Sequence, residues 1–182
     1  MIADRLEIVA LAGVRYTPDL LAWLGVELEQ RFGFREILRD SLVDDPAWRE
    51  DSGQISSNRI VDSLIERSER QGVYPSSQWT LAITDADLTA PGRDYVFGEA
   101  TLNGGWAVVS TARLGAGAED AGQDELARKR LLREVTHELG HLAGLHHCDN
   151  RPCVMHPVVT AADADLNGAD FCRSCRHGEG GE

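Results

Sequence analysis

The sequence predicts an α+β domain, close to the α/β class, in which a twisted mixed β-sheet is backed by helices. Short apolar runs bounded by glycine and proline alternate with segments whose large apolar residues recur at helical spacing. In chain order these segments give strand, helix, strand, helix, three strands and a last helix, which is typical of a mixed sheet covered by helices. The chain has 182 residues, the usual length of one domain.

The chain opens with a predicted strand and a predicted helix. Residues 6–14 are largely apolar and are followed closely by turn residues, which favours a buried strand at that length. Pro18 suits the first turn of the helix. The apolar positions that follow it share one helical face and are Leu20, Leu21, Leu24, Leu28 and Phe32.

The next elements alternate in the same way. A second strand is predicted over 34–43 and a loop over 44–54, after which Ser56 or Ser57 can cap a second helix. The apolar stripe of that helix consists of Ile60, Val61, Leu64 and Ile65.

The middle of the chain is predicted to be mostly strand. A third strand is expected over 78–84, and the proline, glycine and aspartates of 85–94 favour a connection. Strands over 95–100 and 106–111 follow, joined by a turn at 102–105.

A glycine- and alanine-rich loop over 115–123 precedes the last predicted helix of the domain. The buried stripe of this helix consists of Leu131, Leu132, Val135, Leu139 and Leu142. Residues 176–182 contain no apolar side chain and are expected to form a flexible tail.

The last predicted helix carries an HExxHxxGxxH motif that runs from His137 to His147. His137 and His141 are four residues apart and therefore lie on one helical face, where both imidazoles can bind one zinc ion. Gly144 stands where the helix is expected to end, and a left-handed glycine there can turn the chain so that His147 becomes the third ligand. Histidines on a helix are often only surface or core residues, but the complete motif favours a metal site.

The same motif predicts catalysis. Three histidine ligands leave one zinc position for water, whose pKa falls towards neutrality, and this open position is typical of a catalytic site. Glu138 is the predicted catalytic base that takes the proton of the zinc-bound water. The motif therefore indicates a zinc hydrolase.

All four cysteines of the chain form a second predicted metal site. Cys148 and Cys153 make one close pair and Cys172 and Cys175 make a CxxC pair, as in structural zinc sites with four thiolates. The alternative is two disulfides, which the absence of any export signal near the amino terminus disfavours. The expectation is two zinc ions per chain, one catalytic and one structural.

The stretch from His137 to Cys175 resembles the archaemetzincin family of metzincin zinc metallopeptidases. In the family pattern the histidine motif runs on into a cysteine, a CxM element and a CxxC pair. Cys153-Val154-Met155 supplies the CxM element, and sixteen residues separate it from the CxxC pair, one fewer than in the pattern. The resemblance covers most of the chain, because further similar segments lie at 84–88, 97–100 and 108–114.

The resemblance implies a zincin/metzincin-like fold within a single catalytic domain over 1–182. An N-terminal subdomain over 1–147 is expected to include the active-site helix. A small C-terminal subdomain over 148–175 is expected to be held together by the zinc ion of the four-cysteine site. Met155 is expected in the Met-turn beneath the catalytic zinc, as structural support together with Gly144. The edge strand, placed within 98–109, is expected to pair with an extended substrate.

Several polar residues near the motif are expected to lie outside the metal sites. His146 and His156 lack ligand spacing. Pro157 stands where some metzincins have a further tyrosine ligand, so the oxyanion is expected to rely on zinc and backbone groups. Tyr95 is the nearest side-chain candidate for an additional donor.

The composition limits the partners. The net charge is −12, from 30 acidic and 18 basic residues, which disfavours nucleic acid and anionic membranes. The sequence has no apolar run that could span a bilayer and no signal-like amino terminus, so a cytoplasmic location and a peptide or protein substrate are expected.

Three functions compete at this point. The leading hypothesis is a zinc metallopeptidase that uses water activated by Glu138. The alternative is a two-zinc binding protein whose metzincin site is latent or repurposed. A zinc-ribbon module that binds nucleic acid is the third, and the net charge of −12 disfavours it.

Overall fold

The architecture consists of two β-sheets and five α-helices in residues 2–11, 18–115 and 125–177, the parts of the chain that the computed structural model describes. The elements occur in the order β1 (Arg5–Leu11), α1 (Pro18–Phe32), β2 (Glu36–Leu42), a 3-10 turn (Pro46–Trp48), β3 (Ile55–Ser56), α2 (Ser57–Gln71), β4 (Gln78–Thr84), β5 (Leu88–Ala90), β6 (Arg93–Val96), β7 (Gly98–Ala100), β8 (Trp106–Ser110), α3 (Glu125–Leu142), α4 (Ala161–Leu166) and α5 (Arg173–Arg176).

The larger sheet has five strands in the order β2-β1-β4-β8-β7. The first four strands are parallel, and β7 pairs antiparallel with β8 at one edge, with Gly98 opposite Val109. A second sheet has the order β3-β5-β6. The predicted α+β class with a mixed sheet is confirmed.

Alternating side chains of the large sheet divide the core between two layers. Leu81 and Ile83 of β4 pack with the apolar faces of α1 and α3, whereas Ala82 between them packs with α2 on the other side. All seven residues of β4 are buried, as expected for a parallel strand covered by helices on both faces. This packing fixes α3 firmly against the sheet.

The prediction of a plain connection over 85–94 is wrong. Leu88 begins β5, is fully buried and packs against the core beneath α2, while Arg93 begins β6. The proline and glycine occupy only the tight turn between these two strands, where Gly92 has a φ of 74°. The turn signal in this segment therefore covers fewer residues than the sequence predicts.

The predicted strand over 95–100 is two strands in two different sheets. Buried Phe97 separates β6 from β7, and its carbonyl oxygen accepts a hydrogen bond from the Ser110 N–H at 2.8 Å. The helix expected after Ser56 or Ser57 begins at Ser57, although the Ser56 hydroxyl makes no capping hydrogen bond. The other predicted elements match the structure to within a few residues where the chain is described.

Three predictions fall partly on residues beyond the described ranges. These are the end of the first strand at 12–14, most of the loop over 115–123 and the tail from 178. Among the described helices, none combines the length and apolar character needed to cross a bilayer.

Candidate metal centres

The helix α3 places His137 and His141 one turn apart, with their Nε2 atoms 3.1 Å from each other. The helix is held by its apolar stripe, in which Val135 and Leu139 are fully buried in the main core. The positions of these two imidazoles therefore depend on packing of the whole domain and not on the local chain alone.

A glycine turn at the end of α3 brings the third histidine back to the first two. Gly144 has a φ of 90°, its N–H bonds the His141 carbonyl at 2.9 Å, and the Leu145 N–H bonds the Gly140 carbonyl at 3.0 Å. This pair of bonds is a Schellman motif, which reverses the chain direction. As a result, one ring nitrogen from each of His137, His141 and His147 lies within 4.8 Å of the others.

Backbone carbonyls orient two of the imidazoles. His137 Nδ1 lies 2.8 Å from the Val154 carbonyl oxygen, and His141 Nδ1 lies 2.7 Å from the Leu145 carbonyl oxygen. Because Nδ1 must donate in both bonds, each Nε2 carries a free lone pair that can bind a metal ion. Burial also lowers the pKa of His137 to about 3, so this imidazole is neutral and suited to bind a metal ion.

The Glu138 carboxyl lies beside the histidines and against the edge strand β7. Only 4% of this residue is exposed. A Cβ atom on Gly98 would lie 2.8 Å from both Cγ and Oε1 of Glu138, so glycine is needed there. Burial raises the pKa of Glu138 well above its usual value, and the neighbouring Glu134 acts in the same direction, which makes the carboxylate a strong proton acceptor.

A cleft of about 940 Å³ opens onto this group of side chains. One wall consists of β6 and β7, and the other of α3 and residues 157–159. The Tyr95 hydroxyl donates to the Val159 carbonyl oxygen across the cleft, and the Arg113 guanidinium lies 4.0 Å from the centre of the Tyr95 ring. The hydroxyl expected to be a candidate oxyanion donor is thus bonded to the opposite wall.

The four cysteines also meet. Their Sγ atoms lie within 4.8 Å of one another, with 3.9 Å between Cys148 and Cys172 and 3.7 Å between Cys153 and Cys175. All four are free thiols. Ligands at about 2.3 Å from a tetrahedral zinc are about 3.8 Å apart, whereas a disulfide needs about 2.0 Å. The spacing fits zinc and not two disulfides.

The pKa values of the cysteine thiols are shifted in opposite directions. A backbone hydrogen bond at Cys175 lowers the pKa of Cys172 to about 6. The Cys172 N–H also donates to the Cys153 sulfur at 3.3 Å. Burial raises the pKa of Cys148 and of Cys175, so of these three thiols only Cys172 is shifted towards the thiolate form that binds zinc.

Residues 148–156 connect the two groups. Cys148 follows His147 directly, and its N–H bonds the Met155 carbonyl at 3.0 Å. Met155 is fully buried beneath α3, where a Cβ atom on Gly140 would overlap its sulfur. His146 is exposed and lies outside the group of three, and His156 Nδ1 bonds the Cys148 carbonyl at 2.9 Å.

Sequence reasoning missed the close approaches at Gly98 and Gly140 and the burial of Arg133, of which only 2% is exposed. A signal existed for Gly140, because glycine inside a helix costs about 1 kcal/mol relative to alanine and so indicates a close approach. Gly98 lies in one of the segments that resemble the family. Arg133 gave no signal, because arginine is usually exposed.

Comparisons with known proteins agree with this geometry. The model of peptidase family M54 matches residues 52–178. An archaemetzincin from Methanocaldococcus jannaschii is 32% identical over 160 residues, which span 86% of this chain and 83% of the relative. One from Halobacterium salinarum is 41% identical over 134 residues, or 71% of this chain and 73% of the relative. The crystal structure of an archaemetzincin from Methanopyrus kandleri superimposes with a TM-score of 0.80 at 30% identity, covering 95% of this chain and 91% of that one.

Proposed function

This chain belongs to peptidase family M54, the archaemetzincins, and we propose that it cleaves peptide bonds at the histidine group with Glu138 as the general base. The chain is a zinc metallopeptidase. The observation that carries the proposal is that three imidazoles and the buried Glu138 carboxyl face one cleft, with two imidazoles held in the tautomer that binds metal.

His137, His141 and His147 would hold the catalytic zinc through one ring nitrogen each. A zinc ion held there would act as a Lewis acid, which polarises the scissile carbonyl and lowers the pKa of a water molecule. The Glu138 carboxylate takes a proton from the attacking water and delivers it to the nitrogen of the leaving amine. Gly98 lets this carboxylate lie directly beside β7.

The edge strand would position the substrate. β7 ends the large sheet beside Glu138 and forms one wall of the cleft. An extended peptide can add to such an edge through backbone hydrogen bonds, which would bring its carbonyl groups past Glu138. Peptides or flexible protein segments are therefore the proposed substrates.

Cys148, Cys153, Cys172 and Cys175 would hold a second zinc ion with a structural role. Four thiolates complete a tetrahedral site and leave no position for water. The latent-site alternative is not favoured, because the cleft reaches all three histidines and Glu138.

The replacement Glu138→Gln tests the proposed base. The amide keeps the shape of the side chain but cannot accept the proton, so hydrolysis of a peptide library should fall by about 10²- to 10⁴-fold. Zinc content should stay at the parental value. Glu125→Gln is a matched control in the same helix, because the Glu125 side chain is 82% exposed and pairs only with Lys129 among the ion pairs of the described residues.

Undiminished hydrolysis by Glu138→Gln would show that another group is the base. Equal losses in Glu138→Gln and Glu125→Gln would show that the assay responds to changes in the helix as a whole.

A further inference from the structure

Arg133 lies on α3 one turn before His137, and only 2% of it is exposed. Its Nη2 atom donates to the carbonyl oxygens of His156 at 2.6 Å and of Val154 at 3.3 Å. Its Nη1 atom pairs with Glu134 at 3.3 Å. The guanidinium therefore joins the active-site helix to the turn that contains Met155.

The Val154 carbonyl also orients a proposed zinc ligand. It accepts the bond from His137 Nδ1 at 2.8 Å, and this bond leaves the Nε2 atom of His137 free, 3.1 Å from the Nε2 atom of His141. Two donors, His137 and Arg133, thus share one carbonyl oxygen. Any shift of Val154 would turn the imidazole of His137.

Stability alone does not explain an arginine at this position. A buried charge costs free energy unless it is fully paired, and apolar residues can often replace it at no loss of stability. The Nε atom of Arg133 is buried with no hydrogen-bond partner among the described residues. Burial also lowers the pKa of Arg133, which reflects the cost of keeping this charge inside.

We propose that Arg133 is a positioning residue of the histidine site: it holds the Val154 carbonyl in the place from which that carbonyl orients His137. Arg133 does not itself contact the proposed metal position or line the cleft. The inference rests on the proposed zinc site, and it concerns the orientation of a ligand and not the chemical step.

Arg130 provides a matched control in the same helix. Its guanidinium pairs with Asp165 through two bonds of 2.7 Å and donates to the Leu114 carbonyl at 3.0 Å. It also connects α3 to the C-terminal region, but through α4 and away from Val154. Removing Arg130 therefore tests whether the loss of any arginine that connects α3 to the C-terminal region has the same effect.

The experiment is a zinc titration of the histidine site against a competing chelator, with the cysteine site kept loaded. Arg133→Met should weaken zinc binding by about 10- to 100-fold, the usual effect of removing a group that orients a ligand. Arg133→Lys should lie between the parent and Arg133→Met, because an ammonium group cannot match both carbonyl contacts of the guanidinium fork. Arg130→Met should bind zinc like the parent.

Nitrogen-15 NMR of His137 provides a readout of orientation that hydrolysis does not affect. The Nδ1 proton should exchange with water faster in the Arg133 variants than in the parent and in Arg130→Met. Parental zinc affinity in Arg133→Met would overturn the proposal. If Arg133→Met does not fold, parental zinc affinity in Arg133→Lys would overturn the proposal. A loss of zinc affinity in Arg130→Met as large as in the Arg133 variants would also overturn it.

The proposed peptidase mechanism can fail separately. It fails if Glu138→Gln remains active. That result would not affect the Arg133 test, because the Arg133 test measures zinc affinity and not hydrolysis. The Arg133 inference fails on those affinities, whatever the activity of Glu138→Gln.

Discussion

The histidine group and the cysteine group are adjacent in the chain but rest on different kinds of structure. His137 and His141 project from an 18-residue helix that is buried in the main core. The cysteines come from turns and from α5, a helix of four residues. The buried cluster around them contains little besides the cysteines themselves, Val154 and Met155.

The difference indicates how each site forms. A site on a docked helix is largely in place before metal binds, because packing has already fixed the ligands. A segment with a small apolar cluster cannot offset the entropy of ordering its chain, so metal binding must contribute to its folding. We therefore expect the proposed catalytic zinc to be dispensable for the fold and the proposed structural zinc to be essential for residues 148–175.

Loss of a cysteine ligand should give the largest effect on stability. Cys172→Ser removes one thiolate at a half-buried position where serine fits, so the damage should come from weakened zinc binding. The free energy of unfolding should fall by about 4 kcal/mol or more, as when a metal site is lost. Activity should fall as well, because Cys148 adjoins His147. Thermal melts and peptide hydrolysis measure both effects.

Ser174→Ala is the control for this variant, because Ser174 lies in α5, the short helix that begins directly after Cys172, but is exposed and is not a proposed ligand. If Cys172→Ser melts at the same temperature as the parent and is equally active, the proposed structural zinc is not essential for the fold, and the distinction between the two sites is wrong.

Gly140→Ala should have a smaller effect at the contact between the two regions. Alanine favours helix by about 1 kcal/mol relative to glycine, but its Cβ would overlap the Met155 sulfur. Overpacking of this kind costs about 1–3 kcal/mol, so urea unfolding should show a net loss of stability.

In Gly115→Ala the added Cβ would meet Ala127 at an ordinary 3.6 Å, so this variant should unfold like the parent. A Gly140→Ala protein more stable than the parent would show that α3 and the Met155 turn are not closely packed.

Local patterns made some features predictable from the sequence. The spacing of His137, His141 and Gly144 depends only on helix geometry, and β4 is a short segment rich in apolar and β-branched residues, so both could be identified from the sequence alone. The strand β5 and the first two residues of β6 could not be identified from the sequence, because the strands are only three and four residues long and the burial of Leu88 depends on α2.

Contacts between distant segments could not be predicted. The need for glycine at position 98 arises only when β7 lies against Glu138. Likewise, Arg133 gains its role only because the turn at Val154 folds back onto α3. Neither of these two contacts leaves a periodic pattern in the sequence.

Zinc analysis of His141→Ala beside the parent tests the central contrast most directly. We expect about two zinc ions per chain in the parent and about one in the variant, because each of the two separate ligand sets is proposed to hold one ion. The variant should melt close to the parent, since α3 is held by its apolar core. A variant that keeps two ions, or one that keeps one ion but loses its folded structure, would contradict the account.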